Sequence, residues 1–135
     1  MNNPIIVVRA ILEDLEKKIL ILKRDSGTGR NLWCLPGGKV EDQTIEQTVI
    51  DEILEETGLI ARNPIFLFYQ NTLPEKGKKR FIHLYFSATY FGQIKLNEES
   101  SDYIWVKPED LDKYDFAFSN DQGIIRYLHM SNHNL

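Results

Sequence analysis

Four carboxylates, Asp51, Glu52, Glu55 and Glu56, fall within the six residues that open the segment "DEILEETG". At about 100° per residue on an α-helix, Glu52, Glu55 and Glu56 share a sector roughly 100° wide, and Asp51 lies at its edge. Ile50, Ile53 and Leu54 fall mostly opposite and are expected to form the core-facing stripe. The acidic sector stands near the helix C-terminus, where the dipole disfavours negative charge. Two local rules are therefore broken on one face, a pattern commoner at functional sites. Carboxylates at i, i+3 and i+4 converge on one point, and such hard oxygen ligands suit Mg²⁺ or Mn²⁺. The alternative is a solvated acidic face. What favours the cation is "LPGG" upstream (Leu35–Gly38), because a tight Gly-Gly turn lets a backbone carbonyl approach the same ion.

The elements that must position these groups follow from periodicity. "IIVVRAILE" and "KKILILKR", separated by "DLE", predict a β-hairpin. "DSGTGRN" is a loop, and "LWCLPGG" ends in a turn. A helix is expected from Thr44 to Thr57: Thr44 and Gln47 match a capping box, and Gly58 stands at the C-terminal glycine position. "NPIFLFYQNTL" and "RFIHLYFSATYF" predict two strands around "PEKGKK". A short strand near "YIWV" follows, then a helical turn at "PEDLDKY" opened by Pro108. "SNDQGIIRYLHM" predicts a last amphipathic helix, with Ile124, Ile125 and Leu128 on one side. The expected fold class is α/β: one domain over residues 1–135 built on a mixed sheet with few helices.

Composition narrows the function. A net charge of −4 argues against a general nucleic-acid binder, which carries a basic footprint. A small anionic substrate remains compatible if a metal or local basic cluster supplies positive charge. The single cysteine, Cys34, permits no internal disulfide, fits a reducing compartment and reads as a buried thiol within "LWCLP". No apolar run is long enough to span a membrane and no signal peptide is indicated, so a cytoplasmic location is expected.

"GGKVE…EILEETGL" resembles the signature of the Nudix hydrolases, G-x5-E-x7-R-E-U-x-E-E-x-G-U, with U a bulky aliphatic. Gly38, Glu52, Ile53, Glu55, Glu56, Gly58 and Leu59 match in order. "LILKR", "LWCLPGG", "RFIHLYF", "YIWVKPEDL" and the final helix stand in the family's usual places. The resemblance implies an α/β/α sandwich around a mixed sheet. It also implies Mg²⁺- or Mn²⁺-dependent hydrolysis of a nucleoside diphosphate linked to another group, X. Glu52, Glu55 and Glu56 become the metal-binding carboxylates, with the Gly37 carbonyl as a further ligand. The general base would be Glu52 or Glu55, with Glu98 or Glu99 as outside candidates.

The match departs at two places. The spacing from Gly38 is one residue short, so the family's first glutamate is replaced by Gln43 or Thr44, with Glu41 nearby. Asp51 stands where the family has an arginine that helps hold a metal-binding glutamate. Asp51 is then either an extra ligand or is held by a basic residue such as Lys39. Candidate substrate-binding residues are Lys23 and Arg24 at a strand end, Gly38 and Lys39 in the signature loop, and Asn120. An asparagine before the last helix reads the purine in the antimutator branch, which points to a purine nucleoside triphosphate. Asn120 also falls inside a capping box formed by Ser119 and Gln122. Phe81 and Phe118 are either stacking or core residues. The basic tip "EKGKKR" and His83, His129 and His133 are expected to be ordinary surface or structural groups. Two other readings stay open: a nucleotide-binding or regulatory domain with little hydrolysis, and a nucleotide-sugar or other metabolite pyrophosphatase.

Overall fold

Side-chain alternation decides the architecture. Both faces of β1 (Ile5–Ile11) and β2 (Ile19–Arg24) are apolar, and successive residues feed two separate cores. Val8, Ala10, Leu20 and Leu22 pack with Val49 and Ile53 of α1 (Ile45–Thr57). Ile11, Ile19 and Ile21 pack instead with Tyr85, Leu111 and Ile124, the last from α2 (Asn120–Met130). A strand buried on both faces needs a layer on each side, so the fold is the expected α/β/α sandwich. The computed structural model describes residues 3–71 and 77–130.

The middle layer consists of two sheets rather than one. A mixed four-stranded sheet runs β4 (Gly37–Lys39), β1, β6 (Phe81–Phe91), β5 (Ile60–Asn71), with β1 and β6 parallel. An antiparallel sheet runs β3 (Trp33–Cys34), β2, β7 (Ser100–Val106). β1 and β2 therefore do not form the expected hairpin. The turn is real, with Asp14 N donating to Lys18 O at 2.9 Å, but beyond the Glu13–Ile19 bridge each strand enters its own sheet. The β5–β6 pairing matches expectation, whereas residues 72–76 of the intervening turn lie outside the described residues.

The expected Gly-Gly turn is also a strand. Gly37 and Gly38 pair antiparallel with Arg9 and Val8, and neither has a positive φ. Close approach explains these glycines: a Cβ on Gly37 would lie 1.9 Å from the Val8 carbonyl oxygen. Helix α1 begins and ends as read, with Thr44 Oγ1 accepting from Gln47 N at 3.1 Å and Gly58 left-handed at φ 77°. Its buried face differs. Thr48, Val49, Ile53, Glu56 and Thr57 face inward, while Leu54 is 50% exposed. The core stripe overlaps the acidic sector instead of opposing it, which draws Glu56 inside.

The segment "PEDLDK" forms the expected helical turn, a 3₁₀ helix with Pro108 at its start. On α2, Ile124 is fully buried but Ile125 is 38% exposed, so the expected stripe narrows. Gly123 lets this helix sit directly on Tyr85; a Cβ there would come 2.2 Å from the ring.

Candidate active site

The chain crosses from one sheet to the other through Leu35 and Pro36, and a cleft of about 830 Å³ opens beside that crossing. One side is acidic. Glu52 and Glu56 enter it from α1 against Gly37 and Gly38 of β4. Glu56 Oε1 accepts from Gly37 N at 3.3 Å. Gly38 makes room for its partner: a Cβ there would lie 1.9 Å from Glu52 Oε1. The signature glycines thus seat the two carboxylates by close packing.

Burial raises both carboxyls, and neighbouring carboxylates add to it. Glu52 is pushed up to about 7, first by burial, with Glu55 and Glu99 adding repulsion. Glu56 is driven well above the usual carboxylate range by burial and by Glu52, although Arg9 and the Gly37 N–H oppose this. Adjacent acids that resist ionising together are a seat for positive charge. Their hard oxygens, with glycine backbone beside them, fit Mg²⁺ or Mn²⁺. Glu55 adjoins Glu52 from the solvent side and is itself exposed. Among the described residues no three His, Cys, Asp or Glu side chains are gathered into a ready-made cage. Glu99 and Glu41 line the same cleft, whereas Glu98 does not.

The other side of the cleft is cationic and aromatic. Arg9 is 6% exposed at the centre of β1. Its Nη1 donates to Leu35 O at 3.0 Å, and its Nε to His83 Nδ1 at 3.3 Å. Burial, then the Arg9 charge, holds His83 down to about 4, so the ring is neutral and accepts at Nδ1. Arg24 Nε donates to Thr28 O at 2.8 Å. The guanidinium carbons of Arg9 and Arg24 each lie 4.8 Å from the centre of the Phe118 ring, and His83 stacks near the same ring at 6.2 Å. Phe118 and Ser119 hold left-handed backbone at φ 58° and 54°, a strained conformation for residues with side chains.

The expected substrate-binding residues divide. Arg24, Gly38 and Lys39 line the cleft. Lys23 does not, because the β2–β7 register shifts at Lys23/Arg24 and such an irregularity re-aims the side chains around it. Asn120 is corrected outright. It is fully buried; its Oδ1 accepts from Leu35 N at 2.8 Å, and its Nδ2 donates to the Tyr85 hydroxyl at 3.2 Å. The amide fastens α2 to the chain crossing and to β6, leaving no edge for a purine. Ser119 serves this helix start through its carbonyl, which accepts from Gln122 N and Gly123 N.

Asp51 is held neither by Lys39 nor by any other cation among the described residues. Its Oδ2 accepts from Gln43 Nε2 at 2.6 Å and its Oδ1 from Gln47 Nε2 at 2.8 Å. Arg9, His83, Lys78, Phe81 and Phe118 all line the cleft. No sequence motif indicates Arg9, and His83 and Lys78 belong to the cleft rather than to the ordinary surface and structural groups expected for them. One sequence signal does point to Arg9: a lone cation inside "IIVVRAIL", a run otherwise apolar on both faces. Cys34 lines the cleft as a buried thiol raised by burial, consistent with a structural role. Lys76 and His133 lie outside the described residues.

The NUDIX domain profile matches residues 3–128. This chain belongs to the Nudix hydrolase family. Within it, the chain is 33% identical to the nucleoside triphosphatase NudI of Escherichia coli, over 85% of this chain and 89% of that protein. It is 29% identical to the ADP-ribose pyrophosphatase of Methanocaldococcus jannaschii, over 96% of this chain and 76% of that one. The crystal structure of the MutT protein from Methanosarcina mazei superposes with a TM-score of 0.79 at 26% identity, covering 97% and 96% of the two chains. The protein is a MutT-like Nudix hydrolase. Its Nudix box contains the acidic side of the cleft, whereas Arg9, Arg24, His83 and Phe118 come from outside the box. Among the described residues no helix is long and apolar enough to cross a membrane.

Proposed function

We propose that this Nudix protein is a divalent-cation-dependent pyrophosphohydrolase acting on a small nucleotide, a nucleoside diphosphate linked to X. The observation that carries the reading is the Glu52–Glu56 pair, seated against Gly37 and Gly38 and raised by burial. Glu52, Glu55 and Glu56, with the Gly37 carbonyl, are the groups assigned to the cation. A bound Mg²⁺ or Mn²⁺ would neutralise charge on the diphosphate oxygens and make a water more acidic. Glu56, fixed by the Gly37 N–H, holds its position through the reaction. Glu52 or Glu55 takes the proton of the attacking water, a role open to a carboxylate at the cation seat. Lys39 and Arg24 supply cationic contacts to the substrate from the cleft wall.

The names of the two relatives bracket X, one a nucleoside triphosphatase and the other an ADP-ribose pyrophosphatase. Incubation with Mg²⁺ or Mn²⁺ and a panel of nucleoside triphosphates and ADP-ribose tests the proposal. Hydrolysis abolished by Glu56→Gln supports it; binding without turnover across the panel at neutral and alkaline pH defeats it. That second outcome would establish a nucleotide-binding domain, a reading favoured by the aspartate at position 51 and the shortened loop.

A further inference from the structure

Arg9 is placed at odds with elementary energetics. Its same-face neighbours on β1, Val7 and Ile11, are buried and apolar, and Arg9 itself is buried. A buried charge is ordinarily paired, and here no carboxylate forms an ion pair with Arg9 or Arg24 among the described residues. The Arg9 hydrogen bonds go to neutral acceptors, the Leu35 carbonyl and the His83 imidazole. A second cation, Arg24, is brought against the same Phe118 ring, so two like charges are gathered where each raises the other's energy. The strained backbone at Phe118 and Ser119 holds that ring in place. An apolar residue at position 9 would serve the fold better; the arrangement makes sense if an anion completes it.

The position of that anion follows from the cleft. Gly37 lies between the two sides, with its nitrogen on Glu56 and its ideal Cβ position 3.1 Å from Arg9 Cδ. With a cation holding Glu52 and Glu56 ionised, the four cationic side chains of the cleft, Arg9, Arg24, Lys39 and Lys78, would balance its four carboxylates, Glu41, Glu52, Glu56 and Glu99 (4 − 4 = 0), His83 being neutral. A divalent cation on the carboxylates therefore leaves net positive charge, concentrated on the arginine side. We infer that Arg9 and Arg24 together hold an anionic group of the substrate beside the cation seat. Arg9 thereby sets a preference for nucleotides whose X is a phosphate over those whose X is a sugar. The inference rests on the proposed hydrolysis of a nucleoside diphosphate linked to X, and it names X. Two guanidiniums reward the extra charge of a triphosphate, and a neutral sugar in their place leaves them unpaired.

Two measurements test it, on wild type and on Arg9→Met, Arg9→Lys and Arg24→Met. The first is calorimetric binding of inorganic pyrophosphate in the presence of a chelator, which reads the arginines without the cation or turnover. Wild type is expected to bind, and Arg9→Met and Arg24→Met to bind about tenfold more weakly or worse, with Arg9→Lys in between. The second is the ratio of kcat/KM for a nucleoside triphosphate to that for ADP-ribose, expected to fall about tenfold or more in both Met variants. If Arg9→Met does not fold by circular dichroism, Arg24→Met at the cleft wall carries both tests. Unchanged pyrophosphate binding in a folded Met variant, no binding by wild type, or an unchanged ratio would overturn the assignment. Absence of hydrolysis for every substrate would defeat the proposed enzyme instead, while the chelator experiment would still judge the anion site.

Discussion

The side-chain amide of Gln43 donates to Asp51 Oδ2 at 2.6 Å, tying the loop after β4 to the middle of α1. Gln47, one turn below, closes the other oxygen. In the Nudix signature the position of Asp51 carries arginine, and glutamate stands where this chain has Gln43 or Thr44; here the aspartate accepts where the family's arginine would donate. Asp51 thus stands in for a brace, and it does not line the cleft. Asp51→Ala is expected to lower stability by roughly 1 kcal/mol, a few degrees in Tm. Asp51→Arg, although it restores the family residue, should also lose stability, because it removes the acceptor that both glutamine amides use. Adding Gln43→Glu to Asp51→Arg should recover the loss. Thermal unfolding of the four proteins decides it, and an Asp51→Arg protein as stable as wild type would contradict the brace.

The two signature glycines should fail differently. In Gly38→Ala the new methyl meets Glu52 Oε1, the far end of a flexible side chain, so the fold survives and the carboxylate moves. Cation affinity is expected to drop by about tenfold, with Tm little changed, since second contacts that orient a ligand have effects of that order. In Gly37→Ala the methyl meets the Val8 carbonyl, which belongs to the β1 ladder and cannot step aside. Destabilisation of about 1–3 kcal/mol is expected there. Calorimetric Mn²⁺ titration alongside thermal melts separates the two; parallel losses in both variants would be the contrary result.

The carboxyl pair predicts an inverted pH profile in a chelator. Glu52 binds its proton more tightly folded, at about 7, than at its ordinary value of 4.5, and Glu56 is raised in the same direction. The stability they contribute is fully present below 4.5 and is lost as pH rises through about 7. Tm should therefore fall between pH 5 and pH 8 with a chelator (~3 pH units), and excess Mg²⁺ should remove most of that fall. Glu56→Gln should flatten the slope. A wild-type Tm that rises steadily across this window would show the pair is not strained.

Asn120 should behave as a fastening rather than a reader. Asn120→Ala leaves the Leu35 N–H buried without its acceptor, at a penalty of about 1–3 kcal/mol. Preference among purine and pyrimidine nucleotides should stay the same, since the amide presents nothing to the base. Steady-state comparison of the two nucleotide classes provides the check, and a changed preference with unchanged Tm would restore the recognition role.

How much of this was legible in the chain depends on the separation of the partners. Glu52, Glu56, the Thr44 cap and Gly58 are governed by neighbours within a turn or two, so their spacing displays them. Leu54 lies outside the core, against expectation: a wheel drawn from the acidic residues assumes that charge faces outward, whereas Glu56 turns in with Val49 and Ile53. Arg9 and His83 meet only through the parallel pairing of β1 with β6, 74 residues apart. Asn120 carries two local readings, cap and base reader, yet its partners Leu35 and Tyr85 are 85 and 35 residues away. The β1–β2 turn was visible, but which sheet each strand joins is settled by β4, β6 and β7, not by the turn.

The division of the middle layer into two sheets carries a consequence for how such a protein changes its diet. Glu52 and Glu56 lean on β4 of one sheet, Arg24 and Cys34 belong to the other, and only Leu35 and Pro36 join them on this side. The mouth of the cleft is therefore a distance between two plates, set by what is wedged beneath them. Leu35 and Ile124 in that wedge never face the opening, yet a methyl group gained or lost there would slide one plate against the other. Selection can retune what the mouth admits from below, leaving every residue that a nucleotide touches as it is.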